Sequence, residues 1–477
     1  MVESPGMARF IRRRLLLGAV AAQFPAMGTQ GGPPQRKPNI LLLLGDNWAW
    51  PHAGACGDKV VKTPVFDRLA AEGTLFTHAF APNPSCSPSR SSLLTGQETH
   101  RLGAAASLYG TLRAEVPAYV AMLEKEGYFT GHSVKGWGPG TPADGGYADN
   151  PAGHAYADFA AFLAARPKDK PFCFWFGSHD PHVPWNRGAT GRAAMDAAKV
   201  EVPPHLPDHA TVRGDICDYY AEVQQFDLEA GEHVEQVRRL GELDNTVVVM
   251  TSDNGWQMPR GLANCYDLGV RIPMVARYPK AFKAGTKHDG FVTVSDLCPT
   301  FLEAAGVRVP AGVTGKSLFQ PPTRDAVFLE RERHANVRAG NLSYPVRGVR
   351  TKEFLYLRNL EPDRWPAGDP EFVWSVGPYG DIDDSLTKRL LMKSKQEPYF
   401  SLCMGKRAGE ELYELKSDAG QVRNVAAEAR FAAVKARLAA RVDAWMLATG
   451  DPRAKGRTAF WDDAPYTGPR FRGAPPR

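Results

Sequence analysis

Three apolar runs, each ended by oxygen- or nitrogen-bearing side chains, constrain the fold of this chain more than any other feature. Asn39-Ile40-Leu41-Leu42-Leu43-Leu44 stops at Gly45-Asp46-Asn47. Pro171-Phe172-Cys173-Phe174-Trp175-Phe176 stops at Gly177-Ser178-His179-Asp180-Pro181-His182. Thr246-Val247-Val248-Val249-Met250 stops at Thr251-Ser252-Asp253-Asn254-Gly255. Apolar runs of this length, without polar alternation, predict strands covered on both faces, as in a parallel sheet flanked by helices. In open α/β sheets a site lies beyond the carboxyl ends of the strands, so the polar ends are expected to meet. The expected fold class is α/β.

Helical patterns fall between these runs. Thr63 and Pro64 read as the cap and first turn of a helix through Ala70. Over 217–242, Tyr220, Val223, Phe226, Val234, Val237 and Leu240 recur at helical spacing and predict a core-facing stripe. Ser295–Leu302 reads as a capped helix ending near Gly306. Beyond about residue 320 turn-rich segments surround short strand candidates such as Glu353–Arg358, followed by a long Ala/Arg-rich helix over 428–449. The expected organisation is a leader and linker over 1–36, a catalytic domain over 37–320, a smaller C-terminal subdomain over 321–450 and a surface tail over 451–477.

Arg9 and Arg12-Arg13-Arg14 precede the apolar run Leu15–Ala22, the order of an export signal, and the run is too short to span a bilayer as a mature helix. Export to a periplasm or the exterior is the expectation, a cytoplasmic location the alternative. No other stretch reaches transmembrane length. A net charge of +6 spread over 477 residues suits anionic substrates. No Lys/Arg block interleaved with aromatics stands in the body of the chain, which argues against a nucleic-acid partner. The seven cysteines form no CxxC pair, and Cys173 and Cys298 read as small core residues. The sequence does not specify an oligomeric state.

Asp46-Asn47 and Asp253-Asn254 each end an apolar strand, and four converging oxygen-bearing side chains suit a hard cation such as Ca²⁺ or Mg²⁺ rather than Zn²⁺. Either pair by itself also suits a turn or a helix cap. The run Cys86-Ser87-Pro88-Ser89-Arg90-Ser91-Ser92-Leu93-Leu94-Thr95-Gly96 weighs for the metal reading, because it resembles the sulfatase signature C-x-P-[SA]-R-x-x-x-x-T-G at all eleven positions. Asn39–Asn47, Thr63–Phe76 and Asp244–Gly255 resemble further segments of that family in the same order. The resemblance implies an alkaline-phosphatase-like sandwich: a large mixed, mainly parallel central sheet with a smaller C-terminal α+β subdomain.

It also implies roles. Cys86 would be oxidised to formylglycine by a formylglycine-generating enzyme, and the aldehyde hydrate would attack sulfur. Asp46, Asn47, Asp253 and Asn254 would ligate the cation, Ca²⁺ by the resemblance, together with residue 86. Arg90, four residues after Cys86 and on the same helix face, would hold the hydrate. Lys135 would neutralise sulfuryl charge, and His182, with His179 as the alternative, would contact the sulfate and the leaving group. Within the family the resemblance is nearest to heparan N-sulfatase-like members, through Trp48–Gly54, Lys135–Gly140, Ser178–His182 and Pro259–Gly261. It implies a sulfated carbohydrate substrate, with N-sulfoglucosamine a candidate.

Three positions depart from the pattern. Asn47 replaces a second aspartate. The histidine usually found two residues after Lys135 is absent, and Gly138 follows Trp137. Leu262 stands where many members carry lysine or arginine, which leaves Arg260 and Arg271 as substitutes. Two alternatives stand beside the sulfatase reading: a phosphonate or phosphate ester hydrolase on the same scaffold, which a formylglycine and a divalent cation also fit, and a catalytically silent sulfatase-like binding protein, which these departures motivate.

Overall fold

The computed structural model describes residues 36–185, 191–371, 377–456 and 460–468. The leader therefore lies almost wholly outside the described residues. The central sheet is built on β1 (Asn39–Gly45), β2 (Thr74–Phe80), β3 (Phe129–Val134), β4 (Phe172–Gly177), β5 (Thr246–Ser252), β6 (Arg271–Ile272), β7 (Met274–Arg277) and β8 (Thr286–Thr293). Its order is β3-β4-β1-β5-β7-β2-β6, with β8 beside β2. β3, β4, β1 and β5 are mutually parallel, β7 is antiparallel to both β5 and β2, and β8 is parallel to β2. The three apolar runs are thus adjacent parallel strands, and the sheet is mixed.

Both faces of β1 are buried, as its unbroken apolar run requires. Leu41 and Leu43 pack with Phe174, Phe176, Val248 and Met250 under the helices Pro64–Glu72, Phe159–Ala165 and Ala210–Arg239. Ile40, Leu42 and Leu44 pack with Trp175 and Val249 under the helices Cys86–Thr95, Tyr119–Lys125 and Leu297–Ala304. Register brings the strand ends level. Leu44 pairs with Gly177 and Thr251, Gly45 with Ser252, and Val134 with Gly177. Lys135, Ser178, Asp46 and Asp253 are therefore the first residues past four neighbouring strands. Gly177 has to be glycine here, because a Cβ would fall 1.8 Å from the Lys135 carbonyl oxygen.

The second sheet, β12-β11-β10-β9, is antiparallel throughout: β9 (Ala326–Arg331), β10 (Val346–Thr351), β11 (Phe354–Asn359) and β12 (Glu410–Glu414). One face receives Leu438, Val442 and Met446 of the helix Ala432–Thr449, and the other packs on Phe80 and Phe291 of the central sheet.

Several local expectations shift. The helix read over 217–242 runs from Ala210 to Arg239, and Leu240, beyond its last turn, is 49% exposed instead of core-facing. Pro64 is at the first helical position, but the Thr63 hydroxyl donates to Asp67 Oδ1 rather than capping. Thr293 and Asp296 form the capping box at the helix read from Ser295. Inside the stretch read as a surface tail, Trp461 is fully buried and Tyr466 lines a cleft, because Gly103 O accepts from Trp461 Nε1 at 2.9 Å. All seven cysteines are free thiols. Among the described residues no helix is long and apolar enough to cross a membrane.

Candidate active site

The helix Cys86–Thr95 is buried at all ten positions although six of them are polar or charged. It folds there because its hydroxyls find carbonyls. Ser91 Oγ donates to Ser87 O at 2.7 Å, Thr95 Oγ1 to Ser91 O at 2.8 Å and Ser89 Oγ to Asp253 O at 2.5 Å. Gly96 ends the helix in the left-handed conformation, φ 67°. Cys86 and Arg90 fall on one face of it.

That face meets the strand ends. Cys86 Sγ lies 3.4 Å from Asp46 Oδ1 and 3.8 Å from Asn47 Oδ1, and the Asn254 side-chain amide approaches the sulfur to 3.7 Å. Ligand atoms of Asp46, Cys86 and Asp253 all lie within 4.8 Å of one another. Asn47 reaches the cluster from a left-handed backbone, φ 74°, which asparagine tolerates. The Asn254 amide satisfies its protein neighbours in one orientation only. Turned one way, its nitrogen donates to Asn47 Oδ1 and Gly255 O; turned the other, its oxygen and that of Asn47 converge, which a cation between them accommodates. Four buried side chains offering oxygen, with Lys135 and Arg90 on the outer carboxylate oxygens, fit a hard divalent ion.

Arg90 is fully buried behind the cluster. Nε donates to Asp253 Oδ2 at 2.8 Å, and Nη1 to Lys135 O and Gly136 O at 3.1 and 2.7 Å. Nη2 lies 3.7 Å from Asp46 Oδ1 and has no hydrogen-bond partner among the described residues, so a donor remains for a group at residue 86. Lys135 Nζ pairs with Asp46 Oδ2. Val134, just before it, is β-branched yet left-handed, φ 63°, a conformation tolerated where neighbours impose it. Trp137 Nε1 on Ser91 Oγ, 2.8 Å, fastens the following loop.

Charge follows this geometry. Burial raises the Asp46 pKa, but the charges of Lys135, His182 and Arg90 hold it well below the usual carboxylate range. Burial lifts Asp253 despite Arg90. Burial, reinforced by the Asp46 charge, pushes the Cys86 thiol well above its ordinary value. Reactive thiols need the opposite shift, so an unmodified Cys86 is a poor nucleophile here.

Cys86, Asp46 and Lys135 open onto a cleft of about 980 Å³ that is also lined by His179, His182 and Leu262. His182 Nδ1 meets Val183 O at 2.5 Å, and burial, with Lys135, lowers the His179 pKa. The structure thus brings together Asp46, Asn47, Cys86, Arg90, Lys135, His179, His182, Asp253 and Asn254. Arg260 and Arg271 do not join them. Arg260 is buried against Tyr266 and bonds Leu402 O and Gln421 O, while Arg271 stacks over Trp50 and bonds Thr77 O. Their guanidiniums are consumed in packing, so neither replaces the cation missing at Leu262. Gly138 lines the cleft and supplies no side chain. Tyr109, His334, Asp383 and Tyr466 also line it and are not among the residues expected from the sequence. The last three come from the C-terminal third and belong to no motif; the alternating charges of Glu330–His334 were the one available signal.

A family model described as sulfatase matches residues 38–307, more than half of the chain. The chain belongs to the sulfatase family. A second model, described as N-sulphoglucosamine sulphohydrolase, C-terminal, matches residues 260–365. The chain is 28% identical over 478 residues to the human N-sulphoglucosamine sulphohydrolase, covering 87% of this chain and 91% of that one. Among solved structures, one in complex with D-glucosamine-2-N,6-O-disulfate superposes with a TM-score of 0.62 at 20% identity over 89% of this chain and all of that one. The phosphonate monoester hydrolase of Silicibacter pomeroyi superposes with 0.64 at 18% identity, over 87% and 96%. These two likenesses establish the alkaline-phosphatase-like fold. Sulfatases are hydrolases of sulfuric esters or sulfamates, and this one brings Asp46, Cys86 and Asp253 into a cluster that could hold a metal ion.

Proposed function

We propose that this sulfatase removes sulfate from a sulfated sugar, as an ester or a sulfamate, with N-sulfoglucosamine as the foremost candidate. The observation that carries the reading is the convergence of Cys86 with Asp46, Asn47, Asp253 and Asn254 at level strand ends, beside Lys135 and Arg90. The match over 260–365 and the human relative support the sulfamate candidate.

Cys86 is read as the precursor of formylglycine, made by a formylglycine-generating enzyme. Its depressed acidity as a thiol and the unpartnered Arg90 Nη2 beside it support this. Asp46, Asn47, Asp253 and Asn254 would hold Ca²⁺ there, and the formylglycine–cation pair would supply an oxygen nucleophile at neutral pH. The chain's own groups orient the rest. Lys135, held on the Asp46 carboxylate, offers positive charge to the sulfuryl oxygens. His182, with Nδ1 turned to Val183 O, keeps Nε2 for a proton passing to the departing amine or hydroxyl. The Arg9–Ala22 leader supports export to a periplasm or the exterior.

The test is co-expression with a formylglycine-generating enzyme, peptide mass spectrometry at position 86, and parallel assays. N-sulfoglucosamine, an aryl sulfate, an aryl phosphate and an aryl phosphonate are compared with Ca²⁺ present. Formylglycine at 86 with sulfate release is expected. An unmodified thiol sinks the nucleophile, and faster phosphate or phosphonate cleavage moves the protein to the ester-hydrolase reading. Modification without any turnover leaves a binding protein.

A further inference from the structure

The cleft is short of one donor. Leu262 stands at the position where the family pattern has a cation, and Arg260 and Arg271 are held elsewhere. Ala263 N–H donates to Pro84 O at 2.9 Å, which sets Leu262 against the segment leading into Cys86. The chain beyond β9 borders that same segment. Glu330 N–H donates to Pro82 O at 2.9 Å, and four residues later His334 Nδ1 meets Ser85 Oγ at 2.8 Å. His334 therefore touches the residue directly before Cys86, from the C-terminal part of the chain.

The ring is buried and lines the cleft, and its Nε2 has no hydrogen-bond partner among the described residues. A hydroxyl has one proton to give. The contact admits two tautomers: with Ser85 O–H donating to Nδ1 the ring proton sits on Nε2 and a neutral His334 presents a donor, whereas Nδ1–H donating to Ser85 Oγ leaves Nε2 an acceptor. We take the first. Burial lowers its pKa despite Asp381 and Asp383, in keeping with a neutral ring. The backbone around it is pinned: Arg333 O accepts from Leu108 N at 3.0 Å, and Asp381 Oδ1 from Ala335 N at 3.1 Å. Asp381 is itself held by Arg331 and Arg338.

We propose that His334 is a substrate-contacting residue that donates Nε2–H to a sulfuryl oxygen, doing at the cleft wall what a cation at position 262 would do, with Ser85 as its positioning residue. The inference rests on the sulfatase reading of the same cleft.

The experiment is calorimetric titration with inorganic sulfate, which needs no turnover, together with aryl sulfate kinetics. Wild type, His334→Ala, Ser85→Ala and the double variant His334→Ala/Leu262→Arg are compared. His334→Ala is expected to weaken sulfate binding and lower kcat/KM by about tenfold or more. Ser85→Ala, which keeps the ring and frees its tautomer, should lose less in the same direction. Arginine at 262 should recover sulfate affinity, which a merely structural role for His334 would not allow. Sulfate affinity and kcat/KM within about twofold of wild type, at equal formylglycine content and Tm, overturn the proposal; so does a wild type that does not bind sulfate. Should His334→Ala fail to fold, unchanged sulfate affinity in Ser85→Ala overturns it and a loss supports it. A protein that binds sulfate through His334 but cleaves no sulfate ester or sulfamate refutes the sulfatase reading and leaves this inference standing. Cleavage indifferent to His334 does the reverse.

Discussion

Arg90 Nε donates to Asp253 Oδ2 at 2.8 Å, with both side chains entirely out of water. The same guanidinium holds the carbonyls of Lys135 and Gly136 through Nη1. One side chain thereby joins the helix of Cys86 to the ends of β5 and β3. Lysine carries its three donors on one nitrogen and cannot reach, as Nε and Nη1 do, acceptors on two sides of a planar fork.

Arg90→Lys should therefore cost about 3–5 kcal/mol of stability, the usual loss when a buried charge loses its partner. Activity should fall by roughly a hundredfold or more, since the donor left for residue 86 goes with it. Differential scanning calorimetry and kcat/KM measure the two effects. An unchanged Tm would show that the Arg90–Asp253 pair does not tie the site together.

Lys135→Met keeps the length of the stem and removes the charge beside Asp46. The expected result is a fall in kcat of roughly 10²–10³ with Ca²⁺ affinity kept or tightened, because a cation close to the ligand cluster is gone. Calorimetric Ca²⁺ titration beside steady-state kinetics checks this. A large loss of Ca²⁺ affinity would place Lys135 in support of the metal site instead.

Asn47→Asp restores a second carboxylate at a left-handed position that aspartate also tolerates. Added ligand charge should tighten Ca²⁺ binding, by roughly tenfold. Weaker binding would remove Asn47 from the ligand set.

Chelation of the mature enzyme should lower both activity and Tm, because it leaves the buried oxygens of Asp46, Asn47, Asp253 and Asn254 crowded together with only Lys135 and Arg90 to offset their charge. A cation present at a hundred times its Kd contributes about 2.7 kcal/mol to the folded state. Re-adding Ca²⁺ should restore both. A chelated protein with unchanged Tm and rate would show that the cluster works without a metal.

Glu330 and His100 form a buried pair at 2.8 Å between β9 and the segment after the nucleophile helix. Burial raises Glu330, but His100 pulls it down to about 2 from the ordinary 4.5. A depressed folded pKa means that its contribution is present above about pH 4.5 and is lost as pH falls towards 2. Burial lowers His100, but the Glu330 charge wins and raises it above 6.5. That contribution is complete below pH 6.5 and is lost as pH rises through the folded pKa. Urea unfolding across pH 2–9 should show both limbs. His100→Gln should abolish the alkaline one, and a variant that retains it assigns that limb to another group.

The strands and their polar ends were legible because burial on both faces leaves an unbroken apolar run, and only a parallel sheet under two helical layers needs three of them. The Cys86 helix was legible because Cys86, Pro88, Ser89, Arg90, Thr95 and Gly96 stand at the spacing of the sulfatase signature. Arg260 and Arg271 were misread as replacements for the absent cation. Sequence distance from Leu262 says nothing about Tyr266 and Trp50, the rings that hold them. Leu240 was misread because helical periodicity does not mark where a helix stops.

The amino-acid sequence by itself pointed to the α/β class, the sulfatase family, and the candidate set Asp46, Asn47, Cys86, Arg90, Lys135, His179, His182, Asp253 and Asn254. These follow from local pattern: burial periodicity and residue chemistry at short spacing. Only the tertiary structure decided that Arg90 Nη2 has no partner among the described residues, that Arg260 and Arg271 are bound away from the cleft, and that His334 borders Ser85. Ser85 and His334 are 249 residues apart. The register of one sheet and the packing of a second against it bring them together, and no motif of a single stretch encodes that contact.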